Sequence, residues 1–457
     1  MCQTSTRSLR RPLIIRPAAV LVLCITLGVG AAERSPQQDP NEADAVTATN
    51  RPLREPQAMV LTVDQGEGDL QGKDDKVIQA GIEYLNRLGG GTLRLGPGVY
   101  LLRNCIYLSS NITLQGAGQR TILRKAPSVV TPLVRDSDWF EYGVQVDDPT
   151  GFVPGGGIML RTETGPEDWQ YDVLQATVTA IQGDVVYLDG STQENFWVDD
   201  EATATTIFPL LAGEGADDVT VADLVLDGNR QHNEHVNGNF AGAVFIQNCN
   251  AWHFENVTAR NYNGDGFSFQ ACDDIEFVNC HALNNADLGF HPGSGSQRPV
   301  FENCVARGNR EGIFFCWSVS DGLVDNCTLA ENSRYGISIG HRDTDNVIAR
   351  CTIERNGQVG ILFRDEDSEF RSGHRNRIEQ CTLRDNGAGL TGIGVDIRGR
   401  TRDVTIRQSR FENGTDGSLR VGIRIGKLAR QIVLEDNTFE NVPTEIQDHR
   451  LTAIQSK

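Results

Sequence analysis

Residues 327–337 read CTLAENSRYGI, and residues 351–361 repeat the pattern as CTIERNGQVGI. Both copies belong to a longer series in which a glycine that opens an apolar strand recurs every 23 or 24 residues. A repeat this short cannot hold two helices or a propeller blade, but it suits one turn of a strand-built solenoid. The sequence therefore predicts an all-β chain folded as a right-handed parallel β-helix. The series comprises Gly266, Gly289, Gly312, Gly336 and Gly360, with looser copies at Gly392 and Gly422.

Two further rows of residues recur with the same period as the glycines. Asparagines stacked along a solenoid axis can link neighbouring coils through their amides. Cysteines at a single repeat position are expected to be small buried rungs, although coils about 4.8 Å apart would also allow disulfides. The cysteine row is Cys280, Cys304, Cys327, Cys351 and Cys381, and the asparagine row is Asn285, Asn309, Asn332, Asn356 and Asn386.

The N-terminal residues 1–32 have the layout of a secretory signal, with arginines, a short apolar run and then small residues. A single-pass anchor is the alternative, although the run is short for a bilayer. Residues 33–57 are polar and are predicted to be a disordered leader. The signal indicates a secreted, periplasmic or cell-surface protein, with no membrane contact beyond this segment.

Residues 126–216 interrupt the repeat and are rich in acidic side chains. The alternating residues 178–188, with Gly183-Asp184 near the turn, are typical of a β-hairpin. We therefore predict a small acidic β subdomain inserted into the solenoid. Solenoid repeats are expected over residues 217–442, and residues 443–457 are expected to be a polar tail.

The net charge of -19 is unevenly distributed, since residues 371–430 hold thirteen Arg or Lys against six acids. The overall acidity argues against a nucleic-acid-binding protein, which needs a dominant basic face. The basic coils would suit an acidic polysaccharide, and arginines are well shaped for carboxylates. A solvated charged surface is the simpler alternative.

Residues 58–125 carry the clearest resemblance to a known family. They contain VDQGEGD at 63–69, DDKVIQA at 74–80, GGGTLRLGPGVY at 89–100 and NITLQGAG at 111–118. This stretch resembles the N-terminal region of the pectate lyase superfamily, which includes the polygalacturonases. The resemblance implies a secreted, carbohydrate-active protein in which a short helix caps the solenoid before its first coils. The residues agree, because Asp74 or Asp75 can N-cap a helix that Gly89 ends. Its apolar stripe would be Val77, Ile78, Ile82, Leu85 and Leu88.

The segment Asn263-Gly-Asp265-Gly, followed one repeat later by Ala286-Asp287, is similar to the polygalacturonase pattern. On this resemblance Asp265 and Asp287 match two of three catalytic carboxylates. The match is incomplete, because Ala286 stands in place of the third and Glu311 in place of a histidine. Hydrolysis needs one acid and one base or nucleophile, so two carboxylates could suffice.

The segment Asp287-Leu-Gly-Phe-His291 is also similar to an element of β-helical uronan lyases and mannuronan epimerases. These enzymes remove the C5 proton of a uronate, which requires a base and a cation beside the carboxylate. His291 is the candidate base, and Arg310, one repeat after Asp287, is the candidate cation. We expect Asp265, Asp287, His291 and Arg310 to share one solvent-facing catalytic patch. Substrate-binding candidates in the following coils are Glu311, Trp317, Arg334, Tyr335, His341, Arg342 and Arg364.

The leading hypothesis is an exported enzyme that cleaves or remodels a uronic-acid polysaccharide, with β-elimination slightly favoured over hydrolysis. An inverting glycoside hydrolase using Asp265 and Asp287 is one alternative. A non-catalytic glycan-binding or cell-surface solenoid is the other. Calcium would suit the carboxylates of the coils as a cofactor, but the spacing names no ligand set.

Overall fold

The computed structural model describes residues 58–162, 172–387, 392–414 and 417–450. The predicted signal and leader segments, residues 1–57, lie outside this part of the chain. In the described part, the backbone winds through three long sheets of parallel strands, each complete coil adding one strand to each sheet. This confirms the parallel β-helix predicted from the repeat.

The three solenoid sheets have the following strands in spatial order. The first sheet contains Leu70–Gln71, Val60–Asp64, Gly91–Leu95, Ile112–Gln115, Asp217–Ala222, Asn250–Glu255, Asp273–Val278, Val300–Glu302, Leu323–Asp325, Val347–Ala349, Arg377–Glu379, Thr405–Arg407 and Val433–Glu435. The second contains Gly98–Leu102, Thr121–Lys125, Val225–Asp227, Thr258–Arg260, His281–Leu283, Val305–Arg307, Thr328–Ala330, Thr352–Glu354, Thr382–Arg384, Arg410–Glu412 and Thr438–Glu440. The third contains Ile106–Tyr107, Leu211–Glu214, Gly242–Gln247, Asp265–Gln270, Leu288–Pro292, Glu311–Phe314, Tyr335–Ile339, Val359–Phe363, Gly392–Ile397, Leu419–Ile425 and Thr444–Asp448.

One α-helix, Asp75–Arg87, packs against the first coils. Ile78, Ile82 and Leu85 are buried as the apolar stripe predicts, whereas Leu88 lies at the end of the helix and is 55% exposed. Asp74 occupies the N-cap position, but neither it nor Asp75 caps the helix with its side chain. The Asp75 carboxylate instead accepts a hydrogen bond from the backbone N–H of Arg103, which joins the helix to the second coil.

Stacked phenylalanines fill the solenoid core between the sheets. Phe267 lies on Phe290 with ring centroids 5.0 Å apart. Phe254, Phe277 and Phe301 form a second stack with centroid spacings of 4.8 and 5.2 Å. All five rings are buried, and each contributes roughly 1.5–3 kcal/mol by leaving water.

The predicted asparagine and cysteine rows both point into the solenoid. Along the asparagine row each amide donates to the next, over 3.1, 3.2, 2.9 and 2.9 Å from Asn285 to Asn386. In the part of the chain that the structure describes, nine cysteines are buried and none is in a disulfide. The row of buried cysteines with free thiols is therefore favoured over disulfides.

Six antiparallel strands between residues 130 and 205 form a separate sheet with its own apolar core. A hairpin with Gly183 at positive φ joins two of these strands. We call this sheet with its connecting loops the insert. Its strands are Val130–Pro132, Thr203–Thr205, Gly157–Arg161, Val173–Gln182, Val185–Leu188 and Gly143–Gln145.

The coils that follow the insert begin earlier and end later than the predicted residues 217–442. The strand Leu211–Glu214 already pairs with the next coil, so the repeats resume before residue 217. The strand Thr444–Asp448 pairs with Leu419–Ile425 and lies in the segment expected to be a tail. Its side chains are mostly exposed, because no described coil packs beyond it, and its sequence therefore lacks the apolar alternation of the inner coils.

One connection between the second and third sheets is much longer than its equivalents. Residues 228–241 join Val225–Asp227 to Gly242–Gln247, whereas residues 261–264 make the same connection one coil later. We call residues 228–241 the strap. It contains a short 3₁₀ turn, Arg230–His232, and otherwise irregular backbone.

Candidate active site

The strap lies on the outward face of the third sheet. Ser268 Oγ donates a 2.7 Å hydrogen bond to the carbonyl of Gly238, and the backbone N–H of Val236 donates to the carbonyl of Asn263. The fit is tight at Gly238, where a Cβ atom would lie 1.6 Å from Asp265 Oδ2. The strap therefore separates Asp265 from solvent.

Asp265 and His291 form a buried pair beneath the strap. Phe290 points into the core, so strand alternation turns His291 outward, as predicted. A 2.7 Å hydrogen bond joins His291 Nδ1 to Asp265 Oδ2, and the backbone N–H of Leu288 donates to Asp265 Oδ1. Their side chains are only 4% and 1% exposed. The prediction that both would face solvent is wrong, because the strap covers Asp265 and His291 packs against Asp265, Ser268 and the ring of Phe314.

The environment of His291 favours its charged form. Burial lowers the pKa of His291, but hydrogen bonding to Asp265 and the neighbouring Cys316 thiol outweigh burial and raise that pKa to about 10. Burial also raises the pKa of Cys316, yet His291 outweighs it and the thiol pKa is lowered. Within the described residues, His291 Nε2 has no hydrogen-bond partner.

Glu311, on the strand next to His291, is a second buried polar group with a free atom. Its side chain is 4% exposed, and no group in the described chain bonds to its Oε2. Burial raises the pKa of Glu311, against the opposing effect of three nearby arginines, Arg310, Arg334 and Arg364. Buried side-chain atoms without partners are rare in folded proteins. Other described residues also have such atoms, but those of His291 and Glu311 lie on adjacent strands and on ionisable groups, which makes them candidates for contacts with a ligand.

Asp287 forms a different pair from Asp265. Its Oδ2 lies 2.6 Å from His235 Nε2 of the strap, and its Oδ1 lies 3.4 Å from Arg310 Nε. Burial raises the pKa of Asp287, but His235 and Arg310 outweigh it and lower that pKa. Arg310 is 44% exposed and Asp287 14%. Of the predicted patch, only Asp287 and Arg310 are therefore together and open to solvent.

Two of the predicted substrate-binding residues, the exposed Arg334 and the buried Tyr335, follow in the next coil. Arg334 follows Arg310 by one coil, and its guanidinium donates to the Tyr335 hydroxyl over 3.1 Å. Arg334 Nη1 also lies 3.7 Å from Glu311 Oε1. Arginines from successive coils thus surround the buried Glu311 carboxylate.

The other predicted substrate-binding residues follow the C-terminal ends of the strands, although the Arg364 guanidinium lies back over the ring of Phe314 on the sheet face. Trp317 stacks on His341 with centroids 4.2 Å apart, and Arg342 covers the ring of Phe370. Arg364 is held by Asp343, a fully buried carboxylate whose pKa burial raises to about 7. These contacts give Arg342 and Arg364 structural partners within the protein.

His235, Cys316 and Asp343 take part in the site but were not predicted. Cys316 and Asp343 lie in turns after strands, where the repeat gives no direction for a side chain. His235 lies in the strap, which has no counterpart in the other coils. The only available signal was the unusual length of this connection.

The described residues contain no cluster of three or more His, Cys, Asp or Glu side chains suited to a metal ion. They also include no helix long and apolar enough to cross a membrane. No calcium ligand set can be named from this part of the chain.

Comparison with known proteins identifies the fold. Residues 242–391 match the family described as right handed beta helix region. This chain is a right-handed parallel β-helix protein. The predicted resemblance to β-helices of the pectate lyase and polygalacturonase type is confirmed at the level of fold. No curated protein matches its sequence significantly.

Solved structures with the same fold come from unrelated sources. The A-module of the Azotobacter vinelandii mannuronan C-5 epimerase AlgE6 is 15% identical, with 83% of this β-helix protein and 92% of that chain covered and a TM-score of 0.50. PfbA, a surface adhesin of Streptococcus pneumoniae, is 12% identical, with 81% and 88% covered and a TM-score of 0.52. At this identity the similarity establishes the fold alone.

Proposed function

We propose that this β-helix protein is an enzyme that acts on a uronic-acid polysaccharide by proton transfer at C5. Proton removal at this carbon starts both β-elimination and epimerisation. The observation that supports the proposal is the buried Asp265–His291 pair, with His291 Nε2 left unpartnered beside the arginine-rich edge. A signal-like N-terminus supports export to the polysaccharide.

The raised pKa of His291 favours a different role from the base expected from sequence. Asp265 holds Nδ1 and stabilises the imidazolium, so Nε2 carries a proton to donate. Glu311 has a free Oε2 and a raised pKa, which suit a general base. We therefore assign Glu311 to the base and His291 to the acid.

The proposed steps balance without a further reactant. Glu311 takes the C5 proton while Arg310 and Arg334 stabilise the charge that develops on the uronate carboxylate. In β-elimination, the C4–O bond then breaks, a C4=C5 double bond forms, and His291 protonates the leaving oxygen. In epimerisation, His291 instead returns a proton to the opposite face of C5.

Substrate can reach these groups only when the strap moves. The strap is held over the site by the Ser268–Gly238 hydrogen bond and by the contact between His235 and Asp287. The insert also holds it, because Arg161 Nη1 donates to the carbonyl of His235 and Gln175 Nε2 donates to the carbonyl of Phe240. These are separate hydrogen bonds and one ion pair rather than a continuous apolar core, so a loop held in this way can open to admit substrate and close to exclude water. Strap opening is therefore part of the proposed catalytic cycle.

Hydrolysis by the two aspartates is less well supported. Asp265 is fully buried and already bonded to His291 and to the backbone of Leu288, so it is poorly placed to meet a glycosidic oxygen. The same burial favours the second candidate, a non-catalytic glycan-binding solenoid in which the pair is structural.

A polysaccharide panel in D₂O tests the proposal. Polygalacturonate, polymannuronate and a neutral glucan would each be followed by absorbance at 235 nm, by reducing ends and by deuterium at C5. The proposal predicts absorbance from unsaturated ends, or deuterium without chain cleavage, on a polyuronate only. Reducing ends without either signal would establish hydrolysis, and no signal on any polymer would favour the non-catalytic function.

A further inference from the structure

The insert exposes three large aromatic side chains that take no part in the candidate active site. Trp139, Phe140 and Trp197 are 46%, 69% and 43% exposed. Trp139 and Phe140 meet edge to face with centroids 5.8 Å apart, and Trp197 Nε1 donates to Asp138 Oδ1. We call Trp139, Phe140 and Trp197 the aromatic surface. Contiguous exposed apolar surface is uncommon on soluble proteins and marks sites of interaction.

The backbone that positions the aromatic surface is strained at Phe140. Phe140 has a φ of 68°, a conformation that bulky side chains rarely adopt. Thr192 fixes it, because its carbonyl accepts from the backbone N–H of Phe140 and its Oγ1 accepts from that of Glu141. A strained residue that directs its ring into solvent is difficult to explain by stability.

A shallow cleft of about 320 Å³ is lined by Glu141 and Tyr142, which directly follow Phe140 in the chain. Arg135 Nη2 donates to both carboxylate oxygens of Glu141, each over 3.0 Å. Tyr142 is 62% exposed and lies beside Tyr187 along this cleft. The cleft thus offers further rings together with amide and carboxylate groups for hydrogen bonds.

We propose that the insert is a polysaccharide-binding module and that the aromatic surface and cleft take a neutral pyranose chain. The C–H faces of sugar rings pack on flat aromatic rings while their hydroxyls reach polar groups at the edges. This site is separate from the proposed active site, and the inference does not rest on the proposed enzymatic function.

Charge decides the class of glycan. Residues 130–205 contain fifteen Asp or Glu against two Arg, so the insert repels a polyanion. The carboxylates nearest the rings are already held by donors of the insert, so stacking on the rings, rather than an ion pair, is the main contact that they leave for a ligand. Asp136 accepts from the backbone of Val198, Asp138 from Trp197, and Glu141 from Arg135. A neutral chain fits both constraints.

Affinity electrophoresis and tryptophan fluorescence test this inference on the whole protein. The probes are a soluble β-glucan, a galactomannan, polygalacturonate and chitosan. Phe140→Gly removes the ring while suiting the positive φ, so this variant should fold at least as well as the parent. Trp139→Ala removes the neighbouring ring, and Tyr84→Ala on the capping helix is the control, since Tyr84 is 51% exposed.

We expect retardation and fluorescence change with at least one neutral polymer. Kd should rise at least about 10-fold in Phe140→Gly and Trp139→Ala and stay unchanged in Tyr84→Ala. Binding of no neutral polymer, or equal binding by all variants, would overturn the inference. Binding of chitosan or polygalacturonate alone through these rings would overturn the assignment of a neutral ligand.

Discussion

At the scale of single residues, the Asp265–His291 pair determines the chemistry of the site. A buried charge is tolerated only beside a partner, and removing one partner leaves the other uncompensated. Asp265→Asn should therefore lower the pKa of His291 from about 10, because burial and the Cys316 thiol remain while the carboxylate is lost. NMR titration of the His291 ring measures this, with the half-exposed His253 as internal reference. Identical His291 titrations in both proteins would contradict the assignment.

The same pair makes stability depend on pH in a defined window. The folded pKa of His291 is raised above the unfolded value of 6.5, so the folded state binds the proton more tightly. Its stabilising contribution is complete below pH 6.5 and is lost as pH rises towards 10. Tm should therefore fall less over this window in His291→Ala than in the parent. His253→Ala is the control, and equal slopes in all three proteins would contradict the raised pKa.

At the scale of structural elements, the asparagine row joins one coil to the next. Asn332 donates to the carbonyl of Ala306 and to Asn356, and it accepts from the backbone and amide of Asn309. Asn332→Ala would leave several buried polar groups without a hydrogen-bond partner. We therefore expect a loss of about 2–4 kcal/mol in the free energy of unfolding. Asn250→Ala, which removes an exposed asparagine contact to Asp217, should cost about 0.5 kcal/mol. Chemical denaturation measures both losses. Similar losses in the two variants would contradict a stabilising role for the asparagine row.

A methyl group added at Gly238 tests how closely the strap packs on Asp265. A methyl group at Gly238 would overlap Asp265 Oδ2, so Gly238→Ala should displace the strap while leaving the coils intact. Proteolysis within residues 228–241 should become faster, with little change in the main unfolding transition. Gly190→Ala is the matched control, because a Cβ there meets nothing within 4 Å. A strap no more sensitive than in the control would show that it is not tightly seated.

Elements that follow the repeat could be predicted from sequence, and those that leave it could not. The directions of Cys280, Asn332 and Phe290 follow from a fixed position in a fixed period. The burial of Asp265 was missed because it depends on the strap, whose length has no counterpart in the period. The same loop supplies His235, so the pairing of Asp287 could not be inferred either.

At the scale of the whole molecule, the β-helix brings residues distant in sequence into one row. Glu311 and Tyr335 are register partners, so Arg310 and Arg334 lie one strand spacing, about 4.8 Å, apart. This spacing lets successive coils present guanidinium groups along an extended polymer. The insert adds a second, acidic and aromatic surface of opposite character. The molecule thus separates the proposed reaction from the proposed anchoring of a neutral chain.

The central claim is that His291 transfers a proton to the substrate, and the kcat of His291→Ala on an active polyuronate tests it most directly. A positioned proton-transfer group is usually worth about 100-fold or more in rate. We predict a loss of at least about 100-fold in kcat for His291→Ala, with His253→Ala close to the parent. A His291→Ala enzyme with the kcat of the parent would contradict the account.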